Sequence, residues 1–178
     1  MRRIIILDAS AFIVGYEASD IDEEHYTVPS VQEELRSNGF HKLRLEIAQR
    51  SGRVRVLSPD GQYLEKVEAK AAELGEAGSL SSTDKELLAL GLQLRSEGNS
   101  PIIASDDYSV QNVADHLDLG YRSLATRGIK QRFDWGIYCP GCKKKFDEPQ
   151  PRNICPICGT ELKRRPIRKE PTRRQDGP

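Results

Sequence analysis

The chain has 178 residues, and its 27 lysine and arginine residues balance 27 aspartate and glutamate residues to a formal net charge of zero. The sum hides an asymmetry. Residues 1–127 contain 14 basic and 21 acidic side chains, a net charge of −7, whereas residues 128–178 contain 13 and 6, a net charge of +7. An acidic body followed by a basic end indicates a polyanion partner or a basic tail, so neutrality does not exclude a nucleic-acid partner.

Membrane and secretory classes are excluded by the apolar pattern. The longest apolar run near the N-terminus is residues 4–7, which Asp8 ends, and it is too short for a signal-peptide core or a membrane span. All four cysteines lie between residues 139 and 158, and paired cysteines in an intracellular protein more often bind metal than form a disulfide framework. No internal repeat is visible, which excludes solenoids and propellers. We therefore expect a soluble cytoplasmic protein.

Short apolar runs alternate with amphipathic segments through the acidic body. Runs of β-branched residues bounded by turn residues predict strands, and apolar side chains at helical spacing predict helices. Strands that alternate with helices indicate βαβ units, and therefore a parallel sheet with helices on both faces. The predicted strands cover residues 3–7, 53–57, 101–105 and 119–123, and the predicted helices cover 30–47 (with an interruption at 38–39), 63–74, 83–94 and 108–117.

The composition changes after the acidic body. A short stretch without a clear pattern leads into the cysteine module, and the end of the chain has Ile167 as its one large apolar residue. Such a basic, apolar-poor end is typical of disordered tails. The predicted organisation is an α/β domain at 1–128, a linker at 129–137, the cysteine module at 138–165 and a basic disordered tail at 166–178.

The cysteines form two C-x-x-C pairs, Cys139-Pro-Gly-Cys142 and Cys155-Pro-Ile-Cys158, with twelve residues between them. Four thiolates in a tetrahedron suit Zn²⁺ and leave no open coordination position, which predicts a structural site. A module of about thirty residues cannot bury a stabilising core without such a metal. A redox dithiol and a rubredoxin-like iron site have the same spacing and are the alternatives.

Basic side chains cluster on both cysteine loops and just beyond them. The cluster predicts salt-sensitive, sequence-independent contact with phosphates. The alternative is that these residues only keep a very small domain soluble. The candidate RNA-binding residues are Lys143, Lys144, Lys145, Arg152, Lys163, Arg164 and Arg165.

Acidic residues follow two of the predicted strands. Asp8 comes directly after the first strand, and Asp106 and Asp107 come directly after the strand at 101–105. The carboxyl ends of parallel strands meet at the edge where ligands bind. Carboxylates gathered there repel one another unless cations bridge them, and oxygen ligands suit Mg²⁺ or Mn²⁺. Neither a phosphate-binding P-loop nor a G-x-G-x-x-G segment is present, so nucleotide binding is disfavoured.

Two further acids lie in the first turns of predicted helices. In the helices that begin near residues 30 and 83, capping-box spacing assigns Glu33 and Glu86 to capping. At about 100° per residue, Glu34 and Asp84 lie instead at the borders of the apolar faces, where an unpaired carboxylate is costly. The alternative is that acids simply favour helix N-termini through the helix dipole.

Four segments together resemble the PIN-domain family. They are residues 6–12, 27–35, 79–84 and 104–112, which contain the acids just named. PIN domains are metal-dependent ribonucleases with a parallel sheet between helices. A PIN domain joined to a C-terminal four-cysteine ribbon is similar to the Nob-type endoribonucleases, which form the mature 3′ end of small-subunit ribosomal RNA. The resemblance covers about 160 residues.

The resemblance implies a set of site residues. Ser105 and Asn112 match polar positions that orient the last acid, and Asp106 sits where the family pattern varies and ranks below Asp107. The positions that match the acidic cluster, and that would hold Mg²⁺ or Mn²⁺, are Asp8, Glu34, Asp84 and Asp107.

The implied function is a metal-dependent endoribonuclease that acts on precursor small-subunit ribosomal RNA within the assembling subunit. Carboxylate-bound ions would activate water, and the zinc ribbon with the basic residues would hold the RNA. Two alternatives remain open at this point. One is a PIN ribonuclease with another RNA target, and the other is a non-catalytic assembly factor that binds RNA through the ribbon.

Overall fold

The computed structural model describes residues 2–18, 23–125, 131–147 and 150–172. The strands are β1 (Arg3–Leu7), β2 (Glu24–Thr27), β3 (Val54–Val56), β4 (Ser100–Ala104), β5 (Gly120–Arg122), β6 (Gln131–Tyr138), β7 (Lys145–Phe146) and β8 (Lys163–Pro171). The first five form a parallel sheet in the order β3-β2-β1-β4-β5, and the last three form an antiparallel sheet in the order β7-β6-β8. The predicted α/β class with a parallel sheet is confirmed.

The helices of the α/β domain are α1 (Ala9–Val14), α2 (Pro29–Glu34), α3 (Gly39–Arg50), α4 (Gly61–Glu73), α5 (Ser82–Ser96) and α6 (Tyr108–His116), with a 3₁₀ turn at Leu35–Ser37. Because parallel crossovers are right-handed, the strand order places α1 to α3 on one face of the sheet and α4 to α6 on the other. No helix in the described part of the chain is both long and apolar enough to cross a bilayer.

The core lies on both faces of the central strand. The four residues that end β1 are each at most 1% exposed, as expected for a strand covered by helices on both sides. Opposite them, α5 contributes a row of buried leucines. From the centre of the sheet, β2 and β3 are added on one side of β1, and β4 and β5 are added on the other. The carboxyl ends of β1 and β4 therefore form a topological switch point, which is where ligands bind in such sheets.

The register at this edge brings the predicted site together. Leu7 pairs with Ala104 at the ends of β1 and β4, and the Asp8 N–H donates to the Ala104 carbonyl at 3.2 Å. The next residues, Asp8 and Ser105, therefore leave the sheet side by side. This fold places the acids that follow β1 and β4 at one edge, as the sequence predicted.

The chain after the α/β domain differs from its prediction in two places. Strand β6 occupies most of the predicted linker at 129–137, and β8 extends into the predicted disordered tail as far as Pro171. The two strands pair along eight residue positions, and their charged side chains pair as well, since Arg132 bonds Glu170. The paired residues lie about 25 to 40 positions apart in the chain, so the pairing leaves no local signal, and β8 has no apolar alternation. The predicted domain end at 128 and residues 173–178 lie outside the described residues.

The start of α2 also differs from its prediction. Its N-cap is Val28, which provides no side-chain cap, and Pro29 occupies the first turn. The predicted capping box of Ser30 with Glu33 is therefore wrong. The Ser30 hydroxyl donates instead to Glu86 of α5 at 2.8 Å. Proline suits the first turn because its missing N–H is one that no helical carbonyl would accept.

Candidate active site and cysteine centre

Asp8 is held rigidly where β1 meets α1. It is the N-cap of α1, and its Oδ1 accepts the Ala9 N–H at 2.6 Å. Its Oδ2 accepts two hydroxyls, from Ser10 at 3.0 Å and from Ser105 at 2.8 Å. No helix was predicted between the strand at 3–7 and residue 30, but this cap begins one. Both carboxylate oxygens have fixed directions as a result.

Ser105 links Asp8 to the acid that follows β4. Besides donating to Asp8, its buried Oγ accepts the Asp107 N–H at 3.1 Å. Asp107 is the N-cap of α6, where its Oδ1 accepts the N–H groups of Ser109 at 2.6 Å and Val110 at 3.3 Å. The position of Ser105 agrees with the orienting role that the resemblance implied. One hydroxyl therefore sets the spacing between two of the four acids.

Asp84 is also a capping residue, contrary to the prediction. The Ser81 N–H and hydroxyl donate to its Oδ2 at 2.8 and 2.7 Å, and the Asp84 N–H donates to the Ser81 Oγ at 3.1 Å. This is the capping box of α5, in place of the predicted pair of Thr83 with Glu86. The segment contains two overlapping box patterns, and the helix start decides between them.

The four acids influence one another electrostatically. Burial raises the pKa of Asp8, and the charge of Glu34 raises it further, although hydrogen bonds from Ser105, Ser10 and Ala9 oppose the shift. Burial likewise raises the pKa of Asp84, with Ser81 opposing and the charges of Asp8 and Asp107 adding. None of the four pairs with a lysine or arginine among the described residues. The carboxylates therefore lie where a cation would lower their energy.

The acids are near one another without forming a closed ligand cage. Glu34, at the end of α2, and Asp107 are exposed, and within the described ranges no three acids come as close together as the cysteines do. An oxygen-only donor set of this openness fits Mg²⁺ or Mn²⁺. Mg²⁺ keeps several waters and is usually bound through only one or two carboxylates. The residues present therefore fit the ion that the resemblance implies.

Asp106 holds the loop that follows β5. Its Oδ1 accepts the Ser123 hydroxyl at 2.9 Å and the N–H groups of Leu124 at 3.0 Å and Ala125 at 3.1 Å. These bonds fix the chain after β5. A structural role explains why Asp106 ranked below Asp107.

Asn112 lies away from the acidic edge. Its Nδ2 donates to the Phe133 carbonyl at 2.8 Å and its Oδ1 accepts the Phe133 N–H at 2.7 Å, so the side chain pairs with β6 like a short strand. The Nδ2 also donates to Glu76 at 3.0 Å. The implied role of orienting Asp107 is therefore wrong for Asn112, which attaches the C-terminal sheet to α6.

The four cysteines form a compact cluster. Their sulfur atoms all lie within 4.8 Å of one another, with 3.3 Å between Cys139 and Cys158 and 3.7 Å between Cys142 and Cys155. Zn–S bonds of about 2.3 Å in a tetrahedron require sulfur separations of about 3.8 Å. All four cysteines are free thiols. The donor set therefore fits a structural Zn²⁺ ion.

The surroundings of the sulfurs support metal binding. Hydrogen bonding to Thr160, through its hydroxyl and then its N–H, lowers the pKa of Cys158 to about 6, which favours the thiolate that metals require. Against the Lys144 N–H, burial and the neighbouring thiols raise the pKa of Cys142 to about 11, so this thiol would lose its proton only on binding a metal. Gly141 is needed in the first knuckle, since a Cβ there would lie 2.6 Å from the Thr160 hydroxyl oxygen. Below the sulfurs, Leu162 and Phe146 form a minimal apolar core.

The basic candidates divide into two groups. Arg164 is attached to the α/β domain, because its guanidinium donates to Glu76 at 3.0 Å, contacts Ser79 and lies 4.9 Å from the centroid of the Trp135 ring. Its contacts are those of a structural residue and not of a free phosphate ligand. The Arg164 side chain is nevertheless 39% exposed. The other candidates are also exposed, and they are Lys143, Lys144, Lys145, Arg152, Lys163 and Arg165.

Comparison with known proteins identifies the family. The pattern described as the PIN domain of ribonuclease matches residues 5–94. Endoribonuclease Nob1 of Pyrococcus abyssi is 41% identical over 165 residues, which cover 93% of this chain and 95% of that protein. Endoribonuclease Nob1 of Methanocaldococcus jannaschii is 37% identical over 168 residues, which cover 94% and 80%. The chain belongs to the PIN-domain ribonucleases.

The similarity extends well beyond the PIN domain itself. Ribonuclease VapC1 of Thermoplasma acidophilum is 39% identical over 161 residues, covering 90% of this chain and 77% of that protein. Three of the four candidate acids, Asp8, Glu34 and Asp84, fall inside the PIN match. The predicted family is therefore confirmed, and the cysteine module accompanies the PIN domain.

Sequence reasoning missed the serines that hold the acids of the PIN site. Ser10 and Ser81 each place a hydroxyl on a candidate catalytic carboxylate. Asp8 and Ser10 form a D-x-S pattern, and Ser81 and Asp84 form an S-x-x-D pattern. Both patterns were visible, but each is common in helix starts that have no catalytic role. Glu76, which is buried, gave no sequence signal at all.

Proposed function

We propose that the chain is a divalent-metal-dependent endoribonuclease that cleaves precursor small-subunit ribosomal RNA near its 3′ end. It would act in the cytoplasm on the assembling small ribosomal subunit. The observation that carries the proposal is the linked pair of Asp8 and Asp107, held by Ser105 at the switch point of a PIN-family sheet. The relatives named Endoribonuclease Nob1, which match along nearly the whole chain, support the substrate class.

The four acids would hold Mg²⁺ or Mn²⁺, namely Asp8, Glu34, Asp84 and Asp107. When bound, the ion supplies an activated water and stabilises charge on the scissile phosphate. The chain's own contribution is orientation. Ser10 and Ser105 fix the direction of Oδ2 in Asp8, and Ser81 does the same for Asp84. Because these carboxylates are already held in place, they do not have to reorient when the RNA phosphate binds.

The cysteine module would supply RNA affinity that the acidic edge cannot. Zn²⁺ bound by Cys139, Cys142, Cys155 and Cys158 would fold the two knuckles, and their exposed basic side chains would contact phosphates without regard to sequence. The α/β domain repels RNA through its excess of acids. The ribbon would therefore carry the substrate while the PIN domain cuts it.

A scaffold without catalysis is the principal alternative. A non-catalytic RNA-binding assembly factor would need the ribbon but would gain nothing from unpaired acids whose pKa values burial and mutual repulsion raise. The unpaired acids favour metal-dependent cleavage in general, and they do not distinguish ribosomal RNA from another RNA target. The RNA target therefore has to be tested separately from cleavage itself.

Asp8→Asn tests the catalytic assignment. Asparagine keeps an Oδ1 acceptor for the Ala9 N–H but removes the charge, so we expect Mn²⁺-dependent cleavage of a precursor 3′-end RNA to fall by about 10³-fold or more, in the range of lost active-site groups. RNA binding should persist. Asp60→Asn is the matched control, since Asp60 is an exposed N-cap without a side-chain cap bond.

Several outcomes would contradict the proposal. Undiminished cleavage by Asp8→Asn would refute the catalytic assignment. Tight RNA binding by the unaltered protein, without metal-stimulated cleavage, would favour the assembly factor. Mapping the new 3′ end separates the remaining alternatives, because cleavage of unrelated RNAs at equal rates would refute the ribosomal substrate.

A further inference from the structure

Glu76 is a buried carboxylate that the candidate active site does not use. It lies in the loop between α4 and α5 and is 2% exposed. Its Oε1 accepts the Asn112 Nδ2 from α6 at 3.0 Å, and its Oε2 accepts the Arg164 Nη2 from β8 at 3.0 Å. A buried charge is stable only with such partners, so Glu76 makes the loop depend on the C-terminal sheet.

The backbone of Glu76 shapes the chain that leads to Asp84. Its carbonyl accepts the N–H groups of Ser79 at 2.9 Å and Leu80 at 3.3 Å. The next residue is Ser81, which forms the capping box with Asp84. Only four residues therefore separate the buried carboxylate from the serine that orients a candidate metal ligand.

The C-terminal sheet contacts this loop at both ends. At its start, the Trp135 N–H of β6 donates to the Leu74 carbonyl at 2.9 Å. Further along, Arg164 contacts the Ser79 hydroxyl as well as Glu76, and its guanidinium lies over the Trp135 ring. The sheet that continues into the cysteine module thus holds the loop at residues 74–79.

We propose that Glu76 and Arg164 are positioning residues through which the C-terminal sheet sets the loop that orients Asp84. Loss of Arg164 leaves a buried carboxylate without its cation, and the loop must rearrange to hydrate it. Ser81 and Asp84 then lose their fixed geometry. Docking of the RNA-binding module and formation of the metal site are linked in this way. The catalytic consequence rests on the function proposed above.

The kinetic test compares two arginines of β8. Arg164→Ala should lower kcat at saturating RNA by about tenfold and raise the Mn²⁺ concentration for half-maximal activity, while Arg164→Lys should restore part of both. Arg168→Ala removes the same charge from the same strand, but its partner is the neighbouring Glu170, at 2.5 Å. It should leave kcat and the Mn²⁺ requirement unchanged.

A second readout needs neither a catalytic metal nor substrate. In zinc-loaded protein without Mn²⁺ or Mg²⁺, amide resonances of Ser81 and Asp84 should shift in Arg164→Ala and in Glu76→Gln but not in Arg168→Ala. The double variant of Glu76 and Arg164 should show no larger kinetic loss than the single variants, since both remove one interaction. Zinc content and the thermal midpoint identify any variant that has unfolded, and Arg164→Lys replaces Arg164→Ala if it has.

The outcomes separate the two proposals. If Arg164→Ala behaves like Arg168→Ala in both kinetics and amide resonances, the positioning role is refuted. Additive losses in the double variant would also overturn it, because they indicate independent effects. If the unaltered protein cleaves no RNA but the Ser81 and Asp84 resonances still shift, the positioning role stands and the proposed nuclease function fails.

Discussion

The two candidate metal centres are built in opposite ways. The cysteine centre takes all its ligands from 20 residues of chain, and their sulfur atoms lie within 4.8 Å of one another over a core of a few side chains. The acidic edge takes its ligands from four elements between Asp8 and Asp107, and the α/β core holds each element in place. The cysteine module would need a bound metal in order to fold. The acidic edge is held in place by the α/β core before any metal binds. Removing metal should therefore affect the two regions very differently.

Zinc removal should have the largest effect. A structural Zn²⁺ ion contributes about 10–16 kcal/mol of apparent binding energy at neutral pH. A strong chelator should therefore unfold the cysteine module, including β7, and should leave the large core of the α/β domain folded. Amide spectra recorded before and after chelation test this, since only resonances of the module should collapse.

The matched control for chelation is Cys155→Ser, which removes one ligand without a chelator present. It should reproduce the collapse of the module. Metal analysis of the untreated protein should give one zinc per chain. Iron, or two disulfides without metal, would contradict the zinc assignment, and simultaneous collapse of the α/β domain would contradict its independence.

Gly75→Ala should have the next largest effect, at the junction between the two regions. Gly75 has φ +69°, and a Cβ there would lie 2.4 Å from the Trp135 carbonyl oxygen of β6. A left-handed backbone costs a non-glycine residue about 1–2 kcal/mol, and overpacking costs about 1–3 kcal/mol. We expect urea unfolding to report a loss of about 3 kcal/mol.

Gly78→Ala is the control for that substitution, since nothing lies within 4 Å of a Cβ at Gly78 and its φ is not in the left-handed range. It should change the free energy of unfolding little. Equal losses in the two variants would show that the contact between Gly75 and Trp135 contributes nothing to the junction.

The sequence predicted most elements of the α/β domain but missed α1 and β2, and it placed some helix starts wrongly. Apolar runs and helical spacing are local, so β1, β4 and the four-cysteine site followed from a few consecutive residues. The capping residue changes when the helix start shifts by one or two positions. Two capping-box patterns overlap at the start of α5, so the sequence predicted Glu86 as the capping acid, whereas the structure has Asp84. Asp84 was singled out by its place at the border of the apolar face and then by the family resemblance, but its orientation by Ser81 was not predicted.

The C-terminal sheet shows what a linear sequence cannot reveal. Strand β8 is charged and contains Pro166, and its partner β6 lies about thirty residues earlier. The sheet also docks on the α/β domain through the contacts of Arg164 with Glu76 and of Phe133 with Asn112, which no local pattern encodes. For the same reason the sequence assigned Arg164 to RNA, although its charge is used within the protein.

Mn²⁺ binding should stabilise the acidic edge by a smaller amount, which depends on pH. Burial raises the pKa of Asp8 and Asp84, so the folded state holds their protons more tightly than the unfolded state. This contribution to stability is present below the unfolded pKa of about 3.9 and is lost as the pH rises through the folded values. Mn²⁺ binds the ionised form and should add about 2.7 kcal/mol at a hundredfold excess over Kd.

The measurement is the thermal midpoint with and without Mn²⁺ between pH 4 and 7. The shift should be largest at pH 7 and should shrink on acidification, when protons compete for the carboxylates. Asp84→Asn should reduce the shift, and Asp60→Asn should not. A shift that is independent of pH, or unchanged in Asp84→Asn, would place the ion elsewhere.

The smallest effect should come from the exposed basic side chains of the cysteine module. Replacing Lys143, Lys144 and Lys145 with glutamine should lower the slope of log affinity against log salt by about 0.7 per lost phosphate contact, or about 2 in total. Fluorescence anisotropy with single-stranded RNA measures this in an Asp8→Asn background, where no cleavage interferes. Lys70→Gln, on α4, provides the comparison.

The salt slope shows which region carries the RNA. Lys70 forms an ion pair with Glu73 on the acidic α/β domain. Its loss should therefore hardly change the slope of log affinity against log salt. If the three ribbon lysines and Lys70 have equal effects per residue, RNA lies across both regions and the acidic edge does not repel it. A slope that falls only with the ribbon lysines means that affinity comes from the zinc-dependent module. Removal of zinc would then abolish RNA binding while leaving the acidic edge intact.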